Sequence, residues 1–318
     1  MAVPVHLSKI FKCVDDNQQQ FINVLREAVA IKSVIAPLKM YPEILRMINW
    51  TKTKLESLGA TCYINETGTR SCRGTGGGSA PLQTLTGQFG HDPKKKTLCI
   101  YGHFDCQPAS KRDGWNTEPF ELVKKRGKLY GRGSASNKGP IIGWINAIDA
   151  FQKVGQEIPV NIKFILEGYE ENGPNDDRQI LKDECLDNPN NAYFRAGLRA
   201  YQLLYGMEPD LTREDGDIPV SITFQPVIER YSYSPKQTRL VGFENVMLLP
   251  MGPHEDGAHW ENEMIDLRNF IQGTKLFAAF INEIASNEIP TDKAEKIKDG
   301  FIRKYIRGVH MHFRDLYV

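Results

Sequence analysis

Apolar residues recur at helical spacing twice in the first part of the chain. Within Asp15 to Val34, the positions Phe21, Val24, Leu25, Ala28 and Val29 fall on one face, and Tyr41 to Leu58 repeats the pattern, so two amphipathic packing helices are expected. From Thr61 to Pro81 the residues turn polar and small, with Gly74, Gly76, Gly77 and Gly78 close together. That stretch lacks the spacing of a dinucleotide or phosphate loop and reads as a flexible connector.

After the turn Gly90-His-Asp-Pro93, the run Thr97-Leu-Cys-Ile-Tyr101 predicts a short buried strand ended by Gly102. Gly139 to Val154 predicts a helix with its apolar face at Ile142, Ile145, Ile148 and Phe151, and Val160 to Leu166 predicts the next strand. A helix between two buried strands implies a crossover, and so an α/β fold with a mostly parallel central sheet. Asp187 to Asn191 is a sharp polar break before a helix through Leu198, Leu203 and Leu204. Val220 to Phe224 and Asn245 to Leu249 predict two more strands, and Leu267 to Ala285 a last helix. Residues 290 to 318 form a basic and aromatic tail with no derivable role.

A length of 318 residues, 41% of them hydrophobic, is ample for a buried core. Forty basic and 39 acidic residues leave a net charge of +1, so neither nucleic acid nor an anionic membrane is an expected partner. No stretch approaches the roughly 20 apolar residues of a membrane span, and the start of the chain does not read as a secretion signal, so a cytoplasmic location is expected. Cys13, Cys62, Cys72, Cys99, Cys106 and Cys185 are dispersed without CxxC pairs, which argues against a zinc ribbon or a disulfide scaffold. Asn65-Glu-Thr67 matches a glycosylation sequon but is assigned no function.

The candidate chemistry lies at strand ends. Tyr101-Gly-His-Phe-Asp105 closes a hydrophobic strand with His103 and Asp105 two residues apart, and Glu170-Glu171 follows the second strand. In open α/β sheets ligands collect at the carboxyl ends of the strands. His259 stands in Asp256-Gly-Ala-His, while Ser136-Asn137 occupies a place where carboxylates would suit a metal site.

Several long blocks then carry a resemblance. They are Tyr101-Gly-His-Phe-Asp-Cys-Gln-Pro-Ala109, Asp113-Gly-Trp to Pro119-Phe, Gly127-Lys-Leu-Tyr-Gly-Arg-Gly-Ser134, Val160-Asn-Ile-Lys-Phe, Glu208-Pro-Asp-Leu-Thr-Arg-Glu214, and Asn245-Val-Met-Leu-Leu-Pro to Asp256-Gly-Ala-His259. Together they are similar to the cytosolic non-specific dipeptidases and carnosinases, a family of two-metal peptidases. The resemblance covers roughly residues 5 to 290 and implies a three-layer catalytic domain. It also implies two divalent ions joined by a bridging aspartate. By this resemblance His103 corresponds to the first ion's histidine and Asp105 to the residue that orients it. Glu171 and His259 correspond to ligands of the second ion, and Glu170 to the general base.

The chain departs from that pattern twice. Where the family reads Thr-Asp-Asp-Lys-Gly, this chain reads Ala135-Ser-Asn-Lys-Gly139, so Ser136 stands at the bridging position, and a neutral hydroxyl does not join two dications as a carboxylate does. Beyond Cys185 a further acidic ligand and a whole lid domain are missing, with the catalytic domain rejoined near 185–191. The remaining set, His103, Glu171 and His259, resembles the donor set of a one-zinc hydrolase, so one zinc or manganese ion at most is expected. His254 is a further loop histidine, expected to be solvated. Thr212 to Pro219 resembles the family's substrate loop, with Glu214, Gly216 and Asp217 as its binding residues. Asp217 sets a negative charge where a peptide carboxylate would lie.

The implied organisation is a metallopeptidase-like catalytic domain over 1–290 and a tail over 291–318. The implied activity is an impaired, metal-dependent hydrolysis of dipeptides. A monomer is implied, because the lid carries the family's dimer contact. The alternatives are a non-catalytic binding protein of the same fold and an incomplete gene product.

Overall fold

A computed structural model describes residues 2–34, 40–72, 78–169, 171, 192–207, 223–225, 247–249 and 251–286. The helical spacing near the start builds two helices rather than one: α1 (Val5–Asp16) buries Leu7, Ile10, Cys13 and Val14, and α2 (Gln18–Ala30) buries Phe21, Ile22, Leu25, Ala28 and Val29. Asn17 separates them. Its side chain donates to the Cys13 carbonyl at 2.8 Å, an alternative to the helical ladder that suits asparagine at a helix end. The helix expected from Asp15 therefore begins at Gln18, and α1 is an element the sequence reading did not anticipate. Helix α3 (Tyr41–Ser57) starts with a proline in its first turn and buries Ile44, Met47, Ile48, Thr51 and Leu55.

The stretch expected to be a connector is instead the first half of a long antiparallel hairpin, β1 (Thr61–Cys72) and β2 (Gly78–Phe89), in register from Thr61 opposite Gln88. Its polar composition misled because β1 is an outer strand, where polar side chains are tolerated. Strand β3 (Thr97–His103), helix α4 (Lys138–Lys153) and strand β6 (Asn161–Glu167) form the anticipated crossover, with β3 and β6 parallel from Thr97 opposite Asn161 to His103 opposite Glu167. Helix α5 (Ala192–Tyr205) and the short strands β7 (Thr223–Gln225) and β8 (Met247–Leu248) follow.

The main sheet runs β1-β2-β6-β3-β7-β8. The α/β class stands, but the sheet is not mostly parallel: among the described strands only β3 with β6 pairs that way, and the other neighbours are antiparallel. One crossover unit sits in a sheet whose flanking strands pair antiparallel. Along β6, Ile162, Phe164 and Leu166 are buried, while Lys163 and Ile165 on the opposite face are half-buried, so one face of the sheet is covered more deeply. The join expected near 185–191 and the tail over 291–318 lie outside the described residues.

A second, smaller sheet was not anticipated. Strands β4 (Val123–Lys125) and β5 (Lys128–Tyr130) meet through Arg126 and Gly127, at φ 50° and 77°, and β9 (Met264–Asp266) adds to β5. Two successive left-handed residues make the tight turn whose twist matches a hairpin. By pairing β5 with β9, this sheet draws the turn after Tyr130 against the segment before Met264.

Helix α4 and helix α6 (Leu267–Ser286) form the buried spine, with Trp144 stacked on Phe277 at 4.5 Å between ring centres. A methyl group at Gly143 would lie 2.9 Å from Phe277 and still closer to Met251, so glycine permits this approach. At the start of α4, the fully buried Lys138 donates to the carbonyls of Ala28 at 2.9 Å and Ile31 at 2.6 Å, closing the C-terminal end of α2. Burial holds its pKa below the usual lysine value, and Cys106, Glu263 and Asp105 act against that shift. Lys138→Met would take one donor from each carbonyl, leaving Ala28 O only the Ile31 N–H at 3.2 Å and Ile31 O only the Ser33 N–H at 2.8 Å. It is expected to lower the unfolding free energy by about 3 kcal/mol, read from urea melts monitored by circular dichroism.

Candidate active site

Strand β3 delivers His103 to the sheet's carboxyl edge, fully buried. Its Nδ1 lies 3.3 Å from Asp105 Oδ1 and 3.1 Å from the Asp105 carbonyl oxygen. The other carboxylate oxygen of Asp105 accepts the backbone N–H of Glu171 at 2.8 Å, so one buried carboxylate ties the end of β3 to the residues after β6. Gln107 donates to the Glu171 carbonyl oxygen at 3.0 Å and to Oε2 at 2.9 Å. The opposite oxygen, Oε1, stands 2.7 Å from His259 Nε2, and Ser136 Oγ is 3.4 Å from that same nitrogen. Burial by itself would push the Glu171 pKa up. The His259 contact, the nearby His103 and the Gln107 hydrogen bond outweigh burial and hold it below the usual carboxylate value.

Ser136 and His259 come from segments more than a hundred residues apart, and one carboxylate joins them. Glu263, fully buried, accepts from Gly133 N at 2.9 Å and Arg132 Nη1 at 2.9 Å through one oxygen. Through the other it accepts from Ala135 N at 2.9 Å and Ser136 N at 3.0 Å. Arg132 continues to the His259 carbonyl at 3.2 Å and lies over the Trp115 ring, 5.2 Å from its centre. His259 and Asn262 both adopt left-handed backbone, at φ 69° and 63°. Asn262 is held by the backbone N–H of Asn116 at 2.7 Å. A histidine in that conformation is uncommon and persists where its surroundings impose it.

The donor types suit a transition metal: imidazole and carboxylate are zinc and manganese ligands. Their placement fits less well. His259 and Glu171 converge, but among the described residues no group of three His, Cys, Asp or Glu side chains is placed to hold an ion. A catalytic zinc takes three protein ligands and a two-ion site also needs a shared carboxylate, whereas the group beside His259 Nε2, after Glu171, is the Ser136 hydroxyl. The described residues thus offer a pair of donors.

Of the residues singled out from the sequence, His103, Asp105, Ser136, Glu171 and His259 form a continuous chain of contacts. Glu170, Glu214, Gly216 and Asp217 lie outside the described residues, and His254 begins the 3-10 turn His254–Asp256. Arg132 and Glu263 were missed as functional candidates. Arg132 sat within a recognised block, but nothing local to Glu263 distinguishes it from a solvated acid ahead of a strand. Cys13, Cys62, Cys99 and Cys106 are buried free thiols, and burial raises Cys62 and Cys106 to about 11 and Cys99 to about 12.

Residues 99–237 match the profile of Peptidase family M20/M25/M40. That stretch is less than half of the chain. The chain is 42% identical over 190 residues to the Beta-Ala-His dipeptidase of Rattus norvegicus, covering 58% of this chain and 38% of the rat protein. It is 38% identical over 181 residues to the Cys-Gly metallodipeptidase dug1 of Schizosaccharomyces pombe, covering 56% of this chain and 37% of that protein. The chain thus spans well under half the length of these curated relatives. The solved structure of human carnosine dipeptidase 1 superposes with a TM-score of 0.74 at 22% identity, over 90% of this chain and 100% of that one. The dipeptidase Dug1p of Saccharomyces cerevisiae superposes with a TM-score of 0.75 at 21% identity, over 90% and 100%. At these identities the structural likeness establishes the fold. No helix among the described residues is long and apolar enough to cross a membrane.

The turn that leads to His259 contains a titratable group of its own. Asp256 is 4% exposed, and its Oδ2 has no hydrogen-bond partner among the described residues. Burial first, and Asp266 next, raise its pKa from 3.8 to about 7, against the pull of Lys128. A carboxyl whose folded pKa lies above its unfolded value binds its proton more tightly when folded. Its contribution is therefore fully present below about pH 4 and is lost as the pH rises to about 7. Denaturant melts between pH 4 and 8 are expected to show this decline, worth up to about 4 kcal/mol, and Asp256→Asn to flatten it. An equal decline in the variant would show that other groups cause it.

Proposed function

We propose that the chain is a dipeptidase-type hydrolase of low activity whose site holds one divalent ion, zinc or manganese, at Glu171 and His259. The observation that carries this reading is the 2.7 Å approach of His259 Nε2 to Glu171 Oε1, with Ser136 Oγ beside the same nitrogen in place of a carboxylate. An ion bound there would polarise the scissile carbonyl and lower the pKa of an attacking water. Asp105 orients the His103 imidazole and anchors the Glu171 backbone. Glu170 is assigned the transfer of a proton from water to the leaving amine. Dipeptides are the proposed substrates, supported by the dipeptidase names of the relatives. Asp217 is assigned to oppose the substrate carboxylate and weaken binding. Losing one of two ions removes much of the electrostatic stabilisation of the transition state, which is the reason for low turnover.

A second reading, a non-catalytic protein of the same fold, is favoured by one feature: Glu171 already has Gln107 on one oxygen and His259 on the other. Calorimetric titration of metal-stripped protein with Zn²⁺ and Mn²⁺ separates the two. One site lost in His259→Ala, together with slow turnover of a dipeptide panel, supports the hydrolase. Absence of any His259-dependent uptake, with dipeptides left at the uncatalysed rate, establishes the second reading.

Ser136→Asp restores a carboxylate at the bridging position. It is expected to raise the stoichiometry to two ions and turnover by about 100-fold or more. A cytoplasmic monomer is proposed as well, the monomer resting on the reading that the lid carrying the family's dimer contact is absent. Sedimentation equilibrium is expected to return a single-chain mass.

A further inference from the structure

We infer that Glu263 is the positioning residue of this site, holding the Ser136 turn and the His259 turn as one rigid body through Arg132. Both oxygens of the buried carboxylate are saturated by one turn: Gly133 N–H and the Arg132 guanidinium on one, Ala135 and Ser136 N–H on the other, all between 2.9 and 3.0 Å. A carboxylate accepts four such bonds, and no neutral side chain of similar size does. The guanidinium that binds Glu263 also donates to the His259 carbonyl at 3.2 Å. Glu263 reaches the Ser136 turn directly and the backbone of His259 through one intermediary. The separation of Ser136 Oγ from His259 Nε2, 3.4 Å, is thereby set by a residue that acts through the backbone of both.

Two features separate this role from general packing. The second sheet already pairs β5 with β9 through backbone bonds, so the two segments would remain neighbours without the Glu263 carboxylate. The His259 backbone is left-handed and gains no support from regular secondary structure, so its carbonyl contact with Arg132 has a specific orienting effect. Groups behind metal and catalytic ligands act in this way, and their loss typically weakens function about 10- to 100-fold while the fold persists.

The inference concerns the same site and rests on the proposed reading only for what the site binds. Its test uses the metal-free protein: ring nitrogen and proton signals of His259, assigned with His259→Gln, recorded by NMR at one pH well below the melting temperature. Glu263→Gln places an amide N–H₂ against backbone N–H donors and is expected to move the His259 ring signals and the Ser136 amide signal in a folded protein. Arg132→Gln keeps the backbone donors on the other Glu263 oxygen and cuts the link to His259, so it is expected to move the His259 signals and spare the Ala135 and Ser136 amides. If Glu263→Gln does not fold, Arg132→Gln decides alone. Unchanged His259 signals in folded Arg132→Gln overturn the inference. A failure of the wild-type chain to take up Zn²⁺ overturns the ion reading and leaves this comparison intact.

Discussion

The site depends on a buried negative charge that would be costly to keep in a protein interior without full compensation. Glu263 has no solvent contact, and each of its oxygens is met by two donors, one of them a guanidinium. The compensation comes from a single turn, so the need to satisfy one carboxylate dictates the path of residues 132 to 136. That path ends at Lys138, whose ammonium closes α2, and starts α4 beneath β3. A methyl group at Gly139 would sit 2.0 Å from the Ser134 carbonyl oxygen, which shows how tightly the turn is folded on the helix it begins. Electrostatic satisfaction and steric closeness therefore set the same geometry.

His103, Asp105, Glu171 and His259 lie in one chain of contacts, and the Glu171 carboxylate is held in its charged form. Beside His259 Nε2, Ser136 offers only a neutral hydroxyl, at 3.4 Å. The His259 imidazole is instead 2.7 Å from the Glu171 carboxylate. This direct pairing competes with any ion for the same lone pairs, and it follows from an ordinary rule: a buried carboxylate takes whichever partner is in reach.

Several features were legible along the chain because they are local. The period of Ile142, Ile145, Ile148 and Phe151 announced α4, the β-branched run from Val160 announced β6, and the apolar stretch from Thr97 announced β3. Others were illegible for identifiable reasons. Thr61 to Cys72 reads as a connector because an outer strand need not alternate. The three-stranded sheet escaped notice because its strands are three residues long and one lies more than 130 positions from the others.

The residue types alone determined which chemistry was available: histidines and carboxylates at strand ends, a serine in the turn before α4, and the blocks that resemble a peptidase family. They did so because ligand identity is a property of the side chain. The tertiary structure decided which of those groups meet. The meeting of His259 with Glu171, the reach of Arg132 to the His259 carbonyl, and the role of Glu263 all join segments separated by many tens of residues. Such contacts are set by sheet pairing and by the need to satisfy buried charge, and neither leaves a periodic mark on the chain.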